Sequence, residues 1–237
     1  MNKIFYLLFF LLLSNFAYAD GYWLELDGSG KRNDTLTIKI RYGGVNDEKV
    51  RYIKNGDDLN KMKNFTVTVL SPSGKKITVP IQQKYDHWIG YYIPKEDGIF
   101  QVAAIDTKLP VVEREKNLQN IKPIQYLHAT YTVNNGKKYK EEMPYLYLSV
   151  KIKKDTALVF PFINGVPVKA GTSIRIFLPN NQDIKVTPDD HGTATFPLSL
   201  KGNYLIRLDQ YVDKKGVFEN KTYYSERHRY DYSLEVK

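Results

Sequence analysis

Ile174-Arg-Ile-Phe-Leu-Pro179 answers Val67-Thr-Val-Leu-Ser-Pro72 at a distance of 107 residues. In both stretches the apolar residues alternate along the chain and the run stops at a proline, the pattern of a half-buried strand closed by a turn. The match continues. Ile184-Lys-Val186 lies at the same distance from Ile77-Thr-Val79, and Gly202-Asn-Tyr204-Leu-Ile206 lies 104 residues beyond Gly98-Ile-Phe100-Gln-Val102. A three-residue difference in the intervening loop reconciles the two distances. Each half then reads as strand, proline turn, strand, loop, strand, with Gly-x-aromatic leading into a further strand, the order of a small antiparallel sandwich. The expectation is an all-β chain of two antiparallel β-sandwich domains in tandem.

Period-two alternation extends beyond the repeat. Leu36, Ile38 and Ile40 alternate with Thr37, Lys39 and Arg41, and Phe65, Val67 and Val69 with Thr66 and Thr68, each set marking one buried strand face. Pro72-Ser73-Gly74 and Pro179-Asn180-Asn181 have the chemistry of reversing turns. Only Val111 to Ile121 shows a trace of helical spacing. The first sandwich is therefore expected over 20–133, with a long excursion at 106–124 and Tyr126–Val133 as its last strand. The polar stretch 134–144 reads as an exposed linker, and the second sandwich as 145–237.

Composition limits the chemistry. The 237 residues are 42% hydrophobic and 26% charged, which excludes a multi-span membrane protein and a disordered chain. There is no cysteine, so disulfides, thiolate nucleophiles, iron-sulfur centres and Cys-type zinc sites are excluded. Residues 1–19 read as an export signal: Lys3 supplies the positive start, Ile4 to Leu13 the apolar run, and Ala17-Tyr18-Ala19 the cleavage site. The mature chain is then expected to begin at Asp20, in the periplasm, with no membrane span left. Lys and Arg number 35 against 26 acidic residues, a net +9 that becomes +8 once the single lysine of the signal is removed. The lysines fall in pairs such as Lys75-Lys76, Lys137-Lys138 and Lys214-Lys215. With no basic helix or aromatic RNA-binding pattern beside them, they read as solvated strand ends and not as a nucleic-acid surface.

Catalytic motifs are missing. No Gly-x-Ser-x-Gly elbow, His-Glu-x-x-His pair or glycine-rich phosphate loop occurs, and the expectation is a non-enzymatic protein. Carboxylate pairs such as Asp57-Asp58, Glu141-Glu142 and Asp189-Asp190 read as solvated turn residues. The four histidines are the natural metal donors of a cysteine-free chain. His87 sits in Tyr85-Asp-His-Trp88, His128 in the strand Tyr126 to Val133, His191 in a turn and His228 in Ser225-Glu-Arg-His-Arg229. No two share a chelating spacing. Tyr223, Tyr224, Tyr230 and Tyr232 make an aromatic run that would suit either cross-strand packing or sugar stacking.

Two resemblances add to these readings. Gly165-Val-Pro-Val168, Ala170-Gly171, the strand Thr172 to Leu178, Thr187-Pro-Asp-Asp-His-Gly192 and Gly202-Asn-Tyr204 resemble the prealbumin-like sandwich family that includes carboxypeptidase regulatory domains. That likeness implies a prealbumin-like or Ig-like fold for the second half and says little about function. Asp20-Gly-Tyr-Trp-Leu-Glu25, followed by two sandwich-like halves and the closing Tyr232-Ser-Leu-Glu-Val236, looks like the periplasmic family associated with nickel and cobalt uptake, whose mature chains open His-x-x-Trp-Leu-Glu. In that family the first histidine and the free amine bind the metal together; here Asp20 stands in the histidine's place. The resemblance implies an accessory binding protein for Ni²⁺ or Co²⁺ that serves an inner-membrane uptake transporter, with Asp20, His87, His128 and His228 as candidate ligands. The alternative reading is an adhesion or carbohydrate-binding module of the cell envelope.

Overall fold

The computed structural model describes residues 20–114, 119–168 and 170–237. The expected export signal lies outside the described residues, as do Glu115 and Lys116 of the stretch with helical spacing. In chain order the strands are β1 (Gly21–Asp27), β2 (Leu36–Val45), β3 (Arg51–Ile53), β4 (Thr66–Leu70), β5 (Lys76–Val79), β6 (Ile81–Gln83), β7 (Trp88–Tyr92), β8 (Gly98–Asp106), β9 (Ile121–Val133) and β10 (Leu146–Lys153). They continue with β11 (Thr156–Ile163), β12 (Val166–Pro167), β13 (Ile174–Phe177), β14 (Asp183–Val186), β15 (Ala194–Pro197), β16 (Gly202–Val212), β17 (Gly216–Phe218), β18 (Lys221–Tyr223) and β19 (Ser225–Val236). The protein is all-β. A 3₁₀ turn over Gly56–Met62 turns Leu59 and Met62 into the first core.

Eight strands form one continuous sheet in the order β14-β13-β16-β19-β9-β8-β4-β5. Its ladders are antiparallel except at the centre, where β9 and β19 run parallel with Ile121 opposite Ser225 and Ala129 opposite Ser233. The order is the sequence repeat read outward from that central pair. Hairpin β4–β5 with β8 and β9 mirrors hairpin β13–β14 with β16 and β19. Because the central strands point the same way, the two-fold that relates the halves runs along them and exchanges the faces of the sheet.

The packing shows this exchange. Phe100, Val102 and Ala104 of β8 and Leu127 and Ala129 of β9 pack against β1 and β2, which belong to a second sheet with β3, β6 and β7. Their counterparts Tyr204, Ile206 and Leu208 of β16 and Tyr230 and Tyr232 of β19 pack against β10, β11 and β15. Leu127 lies opposite Asp231 in register, so Asp231 shares the first core's face and its neighbour Tyr230 points to the other. The cover sheets therefore lie on opposite faces of the shared sheet.

The repeated proline and glycine explain each other. Gly98 and Gly202 both have positive φ, +137° and +116°, a region that side chains disfavour. A Cβ on Gly98 would lie 2.5 Å from Pro72 Cγ, and one on Gly202 would lie 3.1 Å from Pro179 Cβ. In each half the glycine enters its strand against that half's own proline. Tyr204 adds a further lock, its hydroxyl accepting from Leu200 N–H at 2.8 Å and donating to Leu200 O at 3.0 Å.

The two halves share one sheet, since β9 and β19 pair over nine residues. Of the excursion expected at 106–124, residues 107–114 and 119–120 lie between β8 and β9, and the same pairing takes its far end into a strand. Asp106 ends β8, and β9 begins at Ile121 instead of Tyr126 because its first residues find a ladder partner in β19. The 134–144 segment is solvent-exposed yet tied down, with Ile99 N–H donating to Lys138 O at 2.9 Å, Gln101 Nε2 to Tyr139 Oη at 2.5 Å and Lys76 Nζ to Glu142 at 2.7 Å. Among the described residues no helix is long and apolar enough to cross a membrane.

The loop after β8 is held by one buried ammonium. Lys122 Nζ donates to the carbonyls of Leu109 at 2.6 Å and Thr107 at 2.8 Å, and lies 4.1 Å from the centre of the Phe218 ring. Lys122→Met should leave these carbonyls without their donor. The expected outcome is faster amide exchange over 107–112 with protection of β16 unchanged, measured by hydrogen exchange and mass spectrometry.

Candidate functional site

The polar residues of the first strand and its neighbours assemble on the side of β1 and β2 turned away from the first core. Leu24, Ile38 and Ile40 face that core, so alternation sends Trp23, Glu25 and Arg41 the other way. Trp23 and Arg41 are register partners. The Trp23 indole N–H donates to Glu25 Oε1 at 3.0 Å, and Arg41 Nε donates to Glu25 Oε2 at 3.0 Å. Arg41 Nη1 reaches Asp86 Oδ2 at 2.5 Å, and Asp86 Oδ1 lies 2.5 Å from His87 Nδ1. A relay thus runs Trp23, Glu25, Arg41, Asp86, His87. The contacts from His87 and Arg41 hold the Asp86 carboxyl below the usual carboxylate range.

At the end of the relay, Nε2 of His87 makes no hydrogen bond among the described residues, while Nδ1 is anchored. The side chain is mostly covered, at 15% exposure. Arg41 is the member that sequence reasoning missed. Its signal was its place in the alternation opposite Trp23, which only the β1–β2 register reveals.

Asp20 sits just before β1. Its carboxylate accepts from the Tyr42 hydroxyl at 2.9 Å and from the Tyr52 hydroxyl, with Lys54 Nζ 3.9 Å away. Burial, followed by the bond to Asp20, raises the Tyr42 pKa, which keeps that hydroxyl a donor. Among the described residues no hydrogen bond or ion pair joins Asp20 to His87.

The other two candidate histidines, His128 and His228, lie on the opposite face of the large sheet. His128 is buried among Tyr147, Tyr230 and Tyr232, with ring centroids 5.3 to 6.0 Å apart. Among the described residues neither of its ring nitrogens has a hydrogen-bond partner, and burial lowers its pKa to about 3. It lines a cavity of about 50 Å³ together with Gln101, Tyr126 and Tyr230. His228 pairs with the Tyr126 hydroxyl at 3.0 Å through Nδ1 and with Glu226 at 3.3 Å through Nε2; desolvation lowers its pKa. His191 is an exposed turn residue whose backbone N–H donates to Asp189.

The four ligands anticipated from the resemblance, Asp20, His87, His128 and His228, are not brought to one place. The reason is the face exchange: His128 and His228 follow the second core, Asp20 and His87 the first. Among the described residues no group of three or more His, Asp or Glu side chains could hold a metal ion. No protein-family model matches the chain, and no curated protein matches it.

Proposed function

We propose that the protein is a non-enzymatic binding and accessory protein of the bacterial periplasm that handles Ni²⁺ or Co²⁺ for an inner-membrane uptake transporter. The observation that carries this reading is the Asp86–His87 pair. A carboxylate that accepts the Nδ1 proton of a histidine fixes the ring and leaves Nε2 as the lone-pair donor, the usual orientation of a metal-bound imidazole. Borderline divalent ions favour that nitrogen. A single imidazole leaves coordination positions for water and for a donor on the transporter, which suits an ion that has to be released.

Calorimetric titration with Ni²⁺ and with Co²⁺ tests it. Saturable heat is expected, lost in His87→Ala, weakened about 10- to 100-fold in Asp86→Asn, and unchanged in His128→Ala. Absence of saturable heat, or heat indifferent to His87→Ala, would sink the reading. The carbohydrate-binding alternative draws on the tyrosine run. Tyr230 and Tyr232 belong to the second core, which leaves that reading only Tyr223 and Tyr224.

A further inference from the structure

Between β1 and the C-terminal half of the large sheet lies a slot of about 30 Å³, with Trp23, Arg51, Phe177, Leu205 and Arg207 among the residues that line it. Two guanidinium groups meet two aromatic faces there. Arg51 lies 5.7 Å from the centre of the Trp23 ring, and Arg207 lies 4.9 Å from that of Phe177. Gly21 closes one side: a Cβ there would lie 2.3 Å from Arg207 Nη2, so the guanidinium rests against bare backbone.

The charges around the slot do not balance. Arg207 is paired with Asp231 at 2.6 Å, Arg175 with Asp183 at 2.8 Å and Arg229 with Asp209 at 2.8 Å. Among the described residues Arg51 has no such partner. Its Nη2 is buried without a hydrogen bond, and the acid that acts on it is Glu25, whose carboxylate is already engaged by Arg41 and the Trp23 indole. A partly desolvated guanidinium with an empty donor is costly unless something negative fills the space in front of it. The fork of a guanidinium matches a carboxylate. The space has room for about two water-sized groups, the size of a carboxylate head.

We propose that this slot binds the carboxylate group of a small organic acid, with Arg51 as the charged anchor and Trp23 and Phe177 as the walls. The slot shares Trp23 with the relay that ends at His87, so anion binding is read on Arg51 variants and metal binding on His87 variants, which keeps their failures distinguishable.

Acetate is the probe. Trp23 fluorescence is followed in a Trp88→Phe background while acetate replaces chloride at constant ionic strength, and a saturable change is expected. Arg51→Gln should weaken acetate about tenfold or more, and Arg51→Lys should fall between, since an ammonium keeps the charge and loses the fork. In the unsubstituted protein the Arg51 side-chain N–H resonance should move with acetate along the same saturation curve, a readout that survives should Arg51→Gln fold poorly. The proposal is overturned by the absence of any saturable change, by equal affinity in Arg51→Gln, or by a stationary Arg51 resonance. Inorganic phosphate binding more tightly than acetate would overturn the carboxylate assignment.

Discussion

Replacing Asp231 with alanine is expected to lower the stability of the whole protein by about 3 to 5 kcal/mol. Asp231 is fully buried on β19, one of the two central strands of the shared sheet, and it accepts from Arg207 Nε at 2.6 Å and from Gln125 Nε2 at 2.8 Å. Arg207 is only 5% exposed. Between Gly21 and Phe177 its guanidinium has little freedom to swing toward water, so removing the carboxylate leaves a buried cation without its paired counter-charge, with only the more weakly acting Asp209 near it. The pair itself need not be net stabilising, because two charges had to be desolvated to form it. Arg207→Met combined with Asp231→Leu should therefore recover most of the loss. Urea denaturation of the two single variants and the double variant measures both effects. A loss below about 1 kcal/mol in Asp231→Ala would place the pair with solvent-screened surface pairs and refute this account.

Where Asp231 sits also shows what could be read from the residues alone. The strands of the repeat were legible because alternation and the Pro and Gly positions are local properties, and Val67, Val69, Ile174 and Ile176 all face cores as that alternation requires. The joining of the halves was not legible. A period of two says that a strand has two faces; it does not say which strand lies beside it. The β9–β19 ladder links residues about a hundred positions apart, and central strands covered on both faces lose the alternation that would announce them. Ile121, Lys122 and Pro123 at the start of β9 are all buried, which is why that stretch looked like the end of a loop. The site was legible in the same partial way. Trp23, Glu25, Asp86 and His87 could be picked out by type, whereas their connection through Arg41 depends on the β1–β2 register, and the separation of the histidines depends on the face exchange.

His128 is expected to make the fold sensitive to acid in a window that its own burial defines. Its folded pKa is about 3, lowered from 6.5 by desolvation. Between those values the unfolded chain binds a proton that the folded chain refuses, so the contribution is complete above pH 6.5 and is lost as pH falls toward 3. Over the full window the loss is on the order of 5 kcal/mol, and between pH 6.5 and 4.5 it adds a slope of about 1.4 kcal/mol per pH unit. His228, also lowered by burial, acts in the same direction; carboxylates such as Asp86, held low by their partners, act further down. The His128 part is isolated by comparison with His128→Phe. Phenylalanine has no nitrogen to leave unpaired, and the adjoining cavity of about 50 Å³ can take its larger ring. At pH 7 the variant should be at least as stable as the unsubstituted protein, by up to about 1 kcal/mol. Urea denaturation at half-unit steps from pH 7 to 4.5 should show its slope flattened by about one proton's worth. Parallel slopes in the two proteins would mean that His128 takes up its proton without unfolding, which a ring packed against Tyr147, Tyr230 and Tyr232, with no hydrogen bond to an acid among the described residues, has no means to accommodate.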